Sequence, residues 1–252
     1  MGMKRWKMPQ IDQSEVQTVG QQCGESEYLC SLLLARGYHT PETISQFLSA
    51  DGQLENPYAL KDMDRAVQRI RRGIEEGEMM AIYGDYDADG VTATVVLFTY
   101  LESMGADVRY YIPTRDGEGY GLYKKAIDTI AKMGITLMIT VDNGITAVEE
   151  IAYANSLGMD VVVTDHHRPK EQLPEAFAVV DPYRPDDTTS FKGLAGVGVA
   201  FKLVCALEED IESMLDYYAE LVTIGTVADV MPMSGENRII VKRGLAKFSE
   251  TE

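Results

Sequence analysis

Ala81-Ile82-Tyr83-Gly84-Asp85-Tyr86-Asp87-Ala88-Asp89-Gly90-Val91-Thr92 is a short apolar run that ends in three alternate aspartates and a glycine. The apolar run, Met79 to Tyr83, reads as a strand, and Thr92 to Met104 as the helix after it, closed by Gly105. Carboxylates crowded at a strand-to-helix turn repel one another, so the cluster calls for a cation. Two later stretches repeat the arrangement of an apolar strand running into polar, metal-competent residues. They are Met138-Ile139-Thr140-Val141-Asp142-Asn143-Gly144 and Val161-Val162-Val163-Thr164-Asp165-His166-His167-Arg168-Pro169.

Outward from these stretches the pattern alternates. Strands are expected at Asp107 to Pro113, Leu137 to Val141, Asp160 to Thr164 and Phe177 to Val180. Helices are expected at Tyr123 to Met133 and Ala147 to Leu157, each ended by a glycine, and then at Leu194 to Glu208, Ile211 to Ala228 and Arg238 to Phe248. Strand-helix repetition of this kind predicts an α/β fold with a mostly parallel sheet and helices on both faces. In such sheets ligands bind outside the carboxyl ends of the strands. Asp85, Asp87, Asp89, Asp142, Asp165, His166 and His167 all fall there, and Asp229, after the apolar segment Leu221 to Ala228, is a further candidate ligand.

Before residue 78 the chain reads as a small helical region, 1–77, packing on the α/β domain of 78–252. Ser26 to Arg36 is an apolar helical run stopped by Gly37, and Thr40-Pro41 reads as an N-cap with proline at the first helical position. Lys61 to Ile74 spaces Met63, Ala66, Val67, Ile70 and Ile74 by three and four, the mark of an amphipathic helix.

The 252 residues, 45% hydrophobic, suffice for a sizeable core. No apolar run approaches the ~20 residues that span a bilayer, and the start lacks a signal-peptide core, so a cytoplasmic protein without a membrane partner is expected. Cys23, Cys30 and Cys205 form no C-x-x-C pair and predict neither a disulfide framework nor a zinc knuckle. The net charge of −17 argues against a broad basic nucleic-acid face and places any such contact at a metal site.

Asp85-x-Asp87-x-Asp89-Gly90 matches the opening of a calcium-binding EF-hand loop, but the twelfth position, which must be a bidentate Glu, is Val96. Mixed carboxylate and imidazole ligands favour Mn²⁺, with Mg²⁺ as the alternative. A site this rich in carboxylates can hold two divalent cations, which suits displacement at phosphorus. No G-x-x-x-x-G-K-[ST], G-x-G-x-x-G or G-x-S-x-G stretch offers a competing chemistry at the first strand. Gly196 and Gly198, in Gly193-Leu194-Ala195-Gly196-Val197-Gly198, could bring helix N–H groups to a phosphate or permit close helix packing, and both readings stand.

Taken in order, Tyr83 to Thr92, Thr140 to Gly144, Val163 to His167, Gly196 to Lys202 and Gly225 to Asp229 resemble the motifs of the DHH phosphoesterases, whose triplet stands here as Asp165-His166-His167. Within that family they look like the bacterial single-strand exonuclease branch. The resemblance implies one metal held by Asp89, Asp142, His166 and Asp229, and a second by Asp87 and bridging Asp142, with Asp85 close by. It implies His167 facing the scissile phosphate, Asp165 orienting a histidine, and Arg115, Asn143 and Arg168 contacting phosphate. The implied activity is 5′→3′ hydrolysis of single-stranded DNA in repair and recombination, releasing 5′-mononucleotides. Single-strand-binding protein and a helicase are the implied protein partners.

Small-nucleotide branches, acting on short oligonucleotides or cyclic dinucleotides, are the alternative. They usually carry histidine where this chain has Tyr83. A non-catalytic replication or repair scaffold is a third reading, which the full set of Asp and His ligands opposes. Family exonucleases continue into a DHH-associated domain and often a nucleic-acid-binding barrel. The expectation is therefore an N-terminal catalytic fragment lacking both, able to bind metal and weak or inactive as a processive nuclease.

Overall fold

The structure is a computed structural model that describes residues 7, 9–114 and 121–248. The chain divides into two compact units, Met1–Gly52 and Gln53–Glu252. The first holds helices α1 (Gln13–Cys23), α2 (Glu27–Leu34) and α3 (Pro41–Ser49) around Val16, Val19, Cys30, Leu33, Leu34 and Ile44. Thr40 caps α3 as expected: its hydroxyl accepts from Thr43 N, and Pro41 stands at the first helical position, where no backbone N–H is needed.

The second unit opens with a short 3-10 turn (Pro57–Ala59) and continues α4 (Met63–Glu76), β1 (Met80–Tyr83), α5 (Ala88–Ser103), β2 (Val108–Tyr111), α6 (Lys124–Lys132), β3 (Leu137–Val141), α7 (Val148–Ser156), β4 (Asp160–Thr164), β5 (Ala178–Val180), α8 (Gly196–Glu208), α9 (Ile211–Ala228) and α10 (Gly235–Phe248). The sequence grouped α4 with the helical region before residue 78. Its apolar stripe, Met63, Ala66, Val67 and Ile70, instead shares a core with Met80, Ile82 and Val108, which places it in the second unit. Arg69, buried on α4, fixes it further through ion pairs to Glu78 (2.7 Å) and to Asp160 at the start of β4 (2.6 Å).

All strand pairings are parallel, in the order β2-β1-β3-β4-β5. Successive strand residues serve opposite faces, as pleating requires. Met80, Ile82, Leu137, Ile139, Val141, Val162, Ala178 and Val180 enter one core with α4, α5, α8 and α9. Ala81, Tyr83, Met138, Val161, Val163 and Val179 enter the other with α6 and α7. Burial on both faces explains why the strands read as near-continuous apolar runs. The strand order reverses beside β1: β2 lies on one side of it and β3 on the other. A crevice opens at the carboxyl ends where such a reversal occurs.

Candidate metal centre

The helix after β1 starts earlier than the sequence indicated, at Ala88, because Asp87 caps it: its Oδ1 accepts from Gly90 N at 2.9 Å. Asp87 itself is exposed, whereas Asp89, in the first helical turn, is buried. Both oxygens of Asp89 meet the start of α8, accepting from Gly196 N (2.7 Å) and Val197 N (2.8 Å). Burial pushes the Asp89 carboxyl up to about 6, against these amides and His166, which favour its charge. Asp85 is fully buried; Oδ1 accepts from Tyr86 N at 2.5 Å, and Oδ2 has no hydrogen-bond partner. Its carboxyl too is raised by burial.

Asp142 follows β3 in the left-handed region, with φ of 60°. It is 2% exposed, its Oδ1 accepts no hydrogen bond, and burial together with the neighbouring Asp89 charge holds its carboxyl well above the usual range. After β4, Asp165 collects donors: Ile145 N on Oδ2 (2.9 Å), and His166 N (2.7 Å), His167 N (3.1 Å) and His167 Nδ1 (2.7 Å) on Oδ1. Burial would raise Asp165, but these bonds, led by His167, keep it below its ordinary value. The same bond raises His167.

His166 is the hub. Its Nε2 lies 3.1 Å from Asp142 Oδ1, 3.7 Å from Asp89 Oδ2 and 3.7 Å from Asp229 Oδ2, the last carried at the C-terminal end of α9. Ligand atoms converge in two groups among the described residues, Asp89–His166–Asp229 and Asp142–His166–His167, each with its atoms within 4.8 Å of one another. The first brings together three of the four residues that the resemblance implied for one metal, and Asp142, the fourth, falls in the second group. His167, expected to face a phosphate, also stands within ligand range, while Asp85 and Asp87 belong to neither group.

Other expected residues fare differently. Arg115 lies outside the described residues. Arg168 is exposed, 4.8 Å from the Tyr183 ring, and lines a cavity of about 420 Å³ with Asn143, His167 and Lys170. Asn143 is buried; its Nδ2 donates to Val141 O (3.0 Å) and Tyr83 O (3.5 Å), so this orientation offers a phosphate no donor. Gly196 spends its N–H on Asp89, and any Cβ there would run into the Asp142 carboxylate. Gly198 rests against Leu194. Of the two readings left open for these glycines, the geometry gives close packing.

Asp181 carried no role in the sequence reading beyond a strand and turn. It is fully buried beside Asp165, and burial pushes its carboxyl up to about 8. Val179-Val180-Asp181 repeats the pattern of valines running into aspartate at Val163-Thr164-Asp165, which is the signal that could have found it. Tyr83, where small-nucleotide branches have histidine, is buried and donates to Gly121 O at 3.1 Å.

Buried carboxylate oxygens without a donor at Asp85 and Asp142, beside acids held above their normal range, are what a divalent cation would satisfy. The residues present therefore fit one.

Known proteins resemble this chain in sequence and fold. The single-stranded-DNA-specific exonuclease RecJ of Bacillus subtilis (strain 168) is 43% identical over 248 residues, 98% of this chain and 31% of the relative. RecJ of Thermus thermophilus is 38% identical over 77% of this chain and 29% of its own length. Among solved structures, T. thermophilus RecJ in complex with Mn²⁺ aligns with a TM-score of 0.78 at 31% identity, covering 96% of this chain and 34% of that one. An exonuclease RecJ bound to manganese gives 0.70 at 38% identity, covering 76% and 49%. The chain thus spans about a third of the length of the curated relatives it matches. The DHH family, N-terminal domain, matches residues 79–226, more than half of the sequence and every strand described above, and the chain belongs to that family.

Proposed function

We propose that this chain carries the catalytic centre of a 5′→3′ exonuclease on single-stranded DNA that releases 5′-mononucleotides and works with two divalent cations, Mn²⁺ by preference or Mg²⁺. The observation that carries the reading is the convergence of Asp89, Asp142 and Asp229 on His166 Nε2 at the carboxyl edge of the sheet, with a buried Asp142 oxygen left unpaired. The 38–43% identity to single-stranded-DNA-specific exonucleases supports the substrate.

Asp89, Asp142, His166 and Asp229 would hold one cation, and Asp87 with Asp142 the second, beside Asp85. Divalent cations in such a centre neutralise charge at the scissile phosphate and make water a competent nucleophile near neutral pH. The rest falls to the chain's own residues. His167, oriented through Nδ1 by Asp165 and raised by that bond, keeps a proton to higher pH than a free imidazole and suits a hydrogen bond to a phosphoryl oxygen. Arg168, exposed at the cavity mouth, and Arg115 supply cationic contacts to the backbone. An acidic chain thereby meets DNA at one place rather than over a broad face.

In this reading residues 78–252 are the catalytic domain, the protein works in the cytoplasm, and single-strand-binding protein and a helicase are its partners. No helix among the described residues is long and apolar enough to cross a membrane. The test is hydrolysis with Mn²⁺ of 5′-labelled single-stranded DNA, duplex DNA, a cyclic dinucleotide and pyrophosphate. Preferential release of mononucleotides from single-stranded DNA is expected. Preference for the cyclic dinucleotide or pyrophosphate would transfer the protein to the small-nucleotide branches.

A further inference from the structure

Tyr83 and Thr140 are the last residues paired between β1 and β3, the neighbours at which the strand order reverses. Beyond them Gly84 N donates to Tyr111 O on β2 (3.0 Å) and Asp142 N to Thr164 O on β4 (3.1 Å), so each backbone follows its outer neighbour and a crevice opens between the two. The side chain of Asn143 spans the floor of that crevice. Its Nδ2 donates to Val141 O on its own strand at 3.0 Å and to Tyr83 O on β1 at 3.5 Å. Thr140 holds the same turn from the other side: its Oγ1 donates to Asn143 O at 2.8 Å, and its own carbonyl accepts from Thr164 Oγ1 at 2.8 Å. Gly144, with φ of 110°, folds back so tightly that any Cβ there would meet Thr140 Oγ1.

The surroundings fix which way the amide points. Turned over, it would set Oδ1 against two carbonyl oxygens, acceptor against acceptor. Oδ1 itself is buried without a partner and the whole residue is 2% exposed, so neither end of the amide is presented to a phosphate arriving from solvent. What the amide does reach is the framework of the acids. Asp85, the first of the three alternate aspartates, lies two residues beyond Tyr83, and Asp142 is the residue before Asn143. The bonds to Val141 O and from Thr140 Oγ1 bracket Asp142, whose φ of 60° is a conformation that persists only where the neighbouring structure holds it.

We propose that Asn143 is a positioning residue of the centre: its amide straps the carboxyl ends of β1 and β3 together and so sets the separation between the aspartates of the β1 turn and Asp142. Both cations depend on that separation, one through Asp89 and Asp142 and the other through Asp87 and Asp142. The inference rests on the reading of this site as a divalent-cation centre. It replaces the phosphate contact expected of Asn143 with a role in the geometry of the ligands.

Two variants and one wild-type measurement test it. Asn143→Leu keeps the size of the side chain and removes the donor, and Thr140→Val removes the hydroxyl that holds Asn143 O. Each should weaken Mn²⁺ binding, followed by calorimetry without DNA, by about tenfold or more, the usual cost of losing a group that orients metal ligands. In wild-type protein in EDTA, nitrogen-15 NMR should show the side-chain amide protons of Asn143 exchanging slowly with deuterium, and still slowly after addition of Mg²⁺ and a single-stranded oligonucleotide. Fast exchange overturns the proposal even if both variants fail to fold. Variants that melt lower in EDTA yet bind Mn²⁺ like wild type reduce the strap to a purely structural bond, and that also overturns it. So do variants that keep their Mn²⁺ affinity and bind the oligonucleotide more weakly, which would make Asn143 a direct substrate contact. Wild-type protein that takes up no Mn²⁺ defeats the cation-centre reading and this inference with it, whereas equal Mn²⁺ binding by wild type and both variants defeats the inference alone.

Discussion

Asp142 occupies a backbone conformation, φ of 60°, that Asn and Asp tolerate and most other L-residues do not. Asp142→Asn therefore preserves the turn and removes only charge, a cleaner test than alanine, which would add roughly 1 kcal/mol of strain. We expect the asparagine variant to lose Mn²⁺ affinity by at least about tenfold, since a neutral amide is a far poorer ligand than a carboxylate for a hard cation. In EDTA it should melt higher than wild type, because a buried acid repelled by Asp89 is gone. Unchanged calorimetry would strike Asp142 from the ligand set. His167 poses the complementary question, standing within ligand range of Asp142 and His166 yet bonded to Asp165. If it faces the phosphate, His167→Ala lowers kcat by roughly 100-fold or more, in keeping with loss of a proton-bearing group. Mn²⁺ affinity stays near wild type in that case. A loss of affinity matching that of Asp142→Asn makes it a ligand.

At the level of elements, the start of α8 is where sheet and helices lock together. Gly196 and Val197 donate to Asp89 from the positive end of the helix, and Gly196 lies against Asp142 so closely that a methyl group has no room. Gly196→Ala must push α8 away from β3 or turn the Asp142 carboxylate, and is expected to cost about 1–3 kcal/mol. Gly198→Ala, whose Cβ would meet Leu194 Cβ at 3.3 Å, should cost about 1 kcal/mol or less. Urea denaturation of the two variants compares them, and equal losses would contradict this account of Gly196. These contacts also mark where sequence reading stops. The strands were legible because both faces are buried, which leaves runs such as Val161-Val162-Val163 unbroken. Asp142, Asp165 and His166 were legible as candidate site residues because each follows such a run. The role of Gly196 was not, since its constraint comes from Asp142, far away along the chain and adjacent only once β3 and α8 have packed. Helix α1 was equally hard to pick out, because only Val16, Val19 and Gly20 of its residues are buried and its polar positions carry little periodic signal. Asp87 as an N-cap was missed because three alternate aspartates look alike until the helix start distinguishes them.

On the scale of the whole molecule, the fold concentrates negative charge that it cannot satisfy alone. The chain carries a net charge of −17, and its most deeply buried acids meet at one sheet edge. Asp89, held near 6, and Asp181, held near 8, bind protons more tightly folded than unfolded, where aspartate titrates near 3.9. For such groups the stabilising contribution is complete below the unfolded value and is lost as pH rises through the folded one. His167, raised by Asp165, acts in the same direction, its contribution present below about 6.5 and lost above its folded value. Asp165, lowered, contributes throughout the range above about 4 and adds no slope there. In EDTA the melting temperature should therefore fall between pH 5 and pH 8.5, by about 2–4 °C for each kcal/mol lost in a chain of this size. Cation binding has the opposite dependence, because carboxylate and imidazole ligands must shed their protons first. The increment in melting temperature given by saturating Mn²⁺ over EDTA should grow with pH, and calorimetry in two buffers of different ionisation enthalpy should register proton release at pH 6. Melting curves at matched ionic strength separate this from general screening of the acidic surface. A flat increment across the range, or a melting temperature in EDTA that climbs with pH, would show that the buried acids are not the groups through which the fold and the cation are linked.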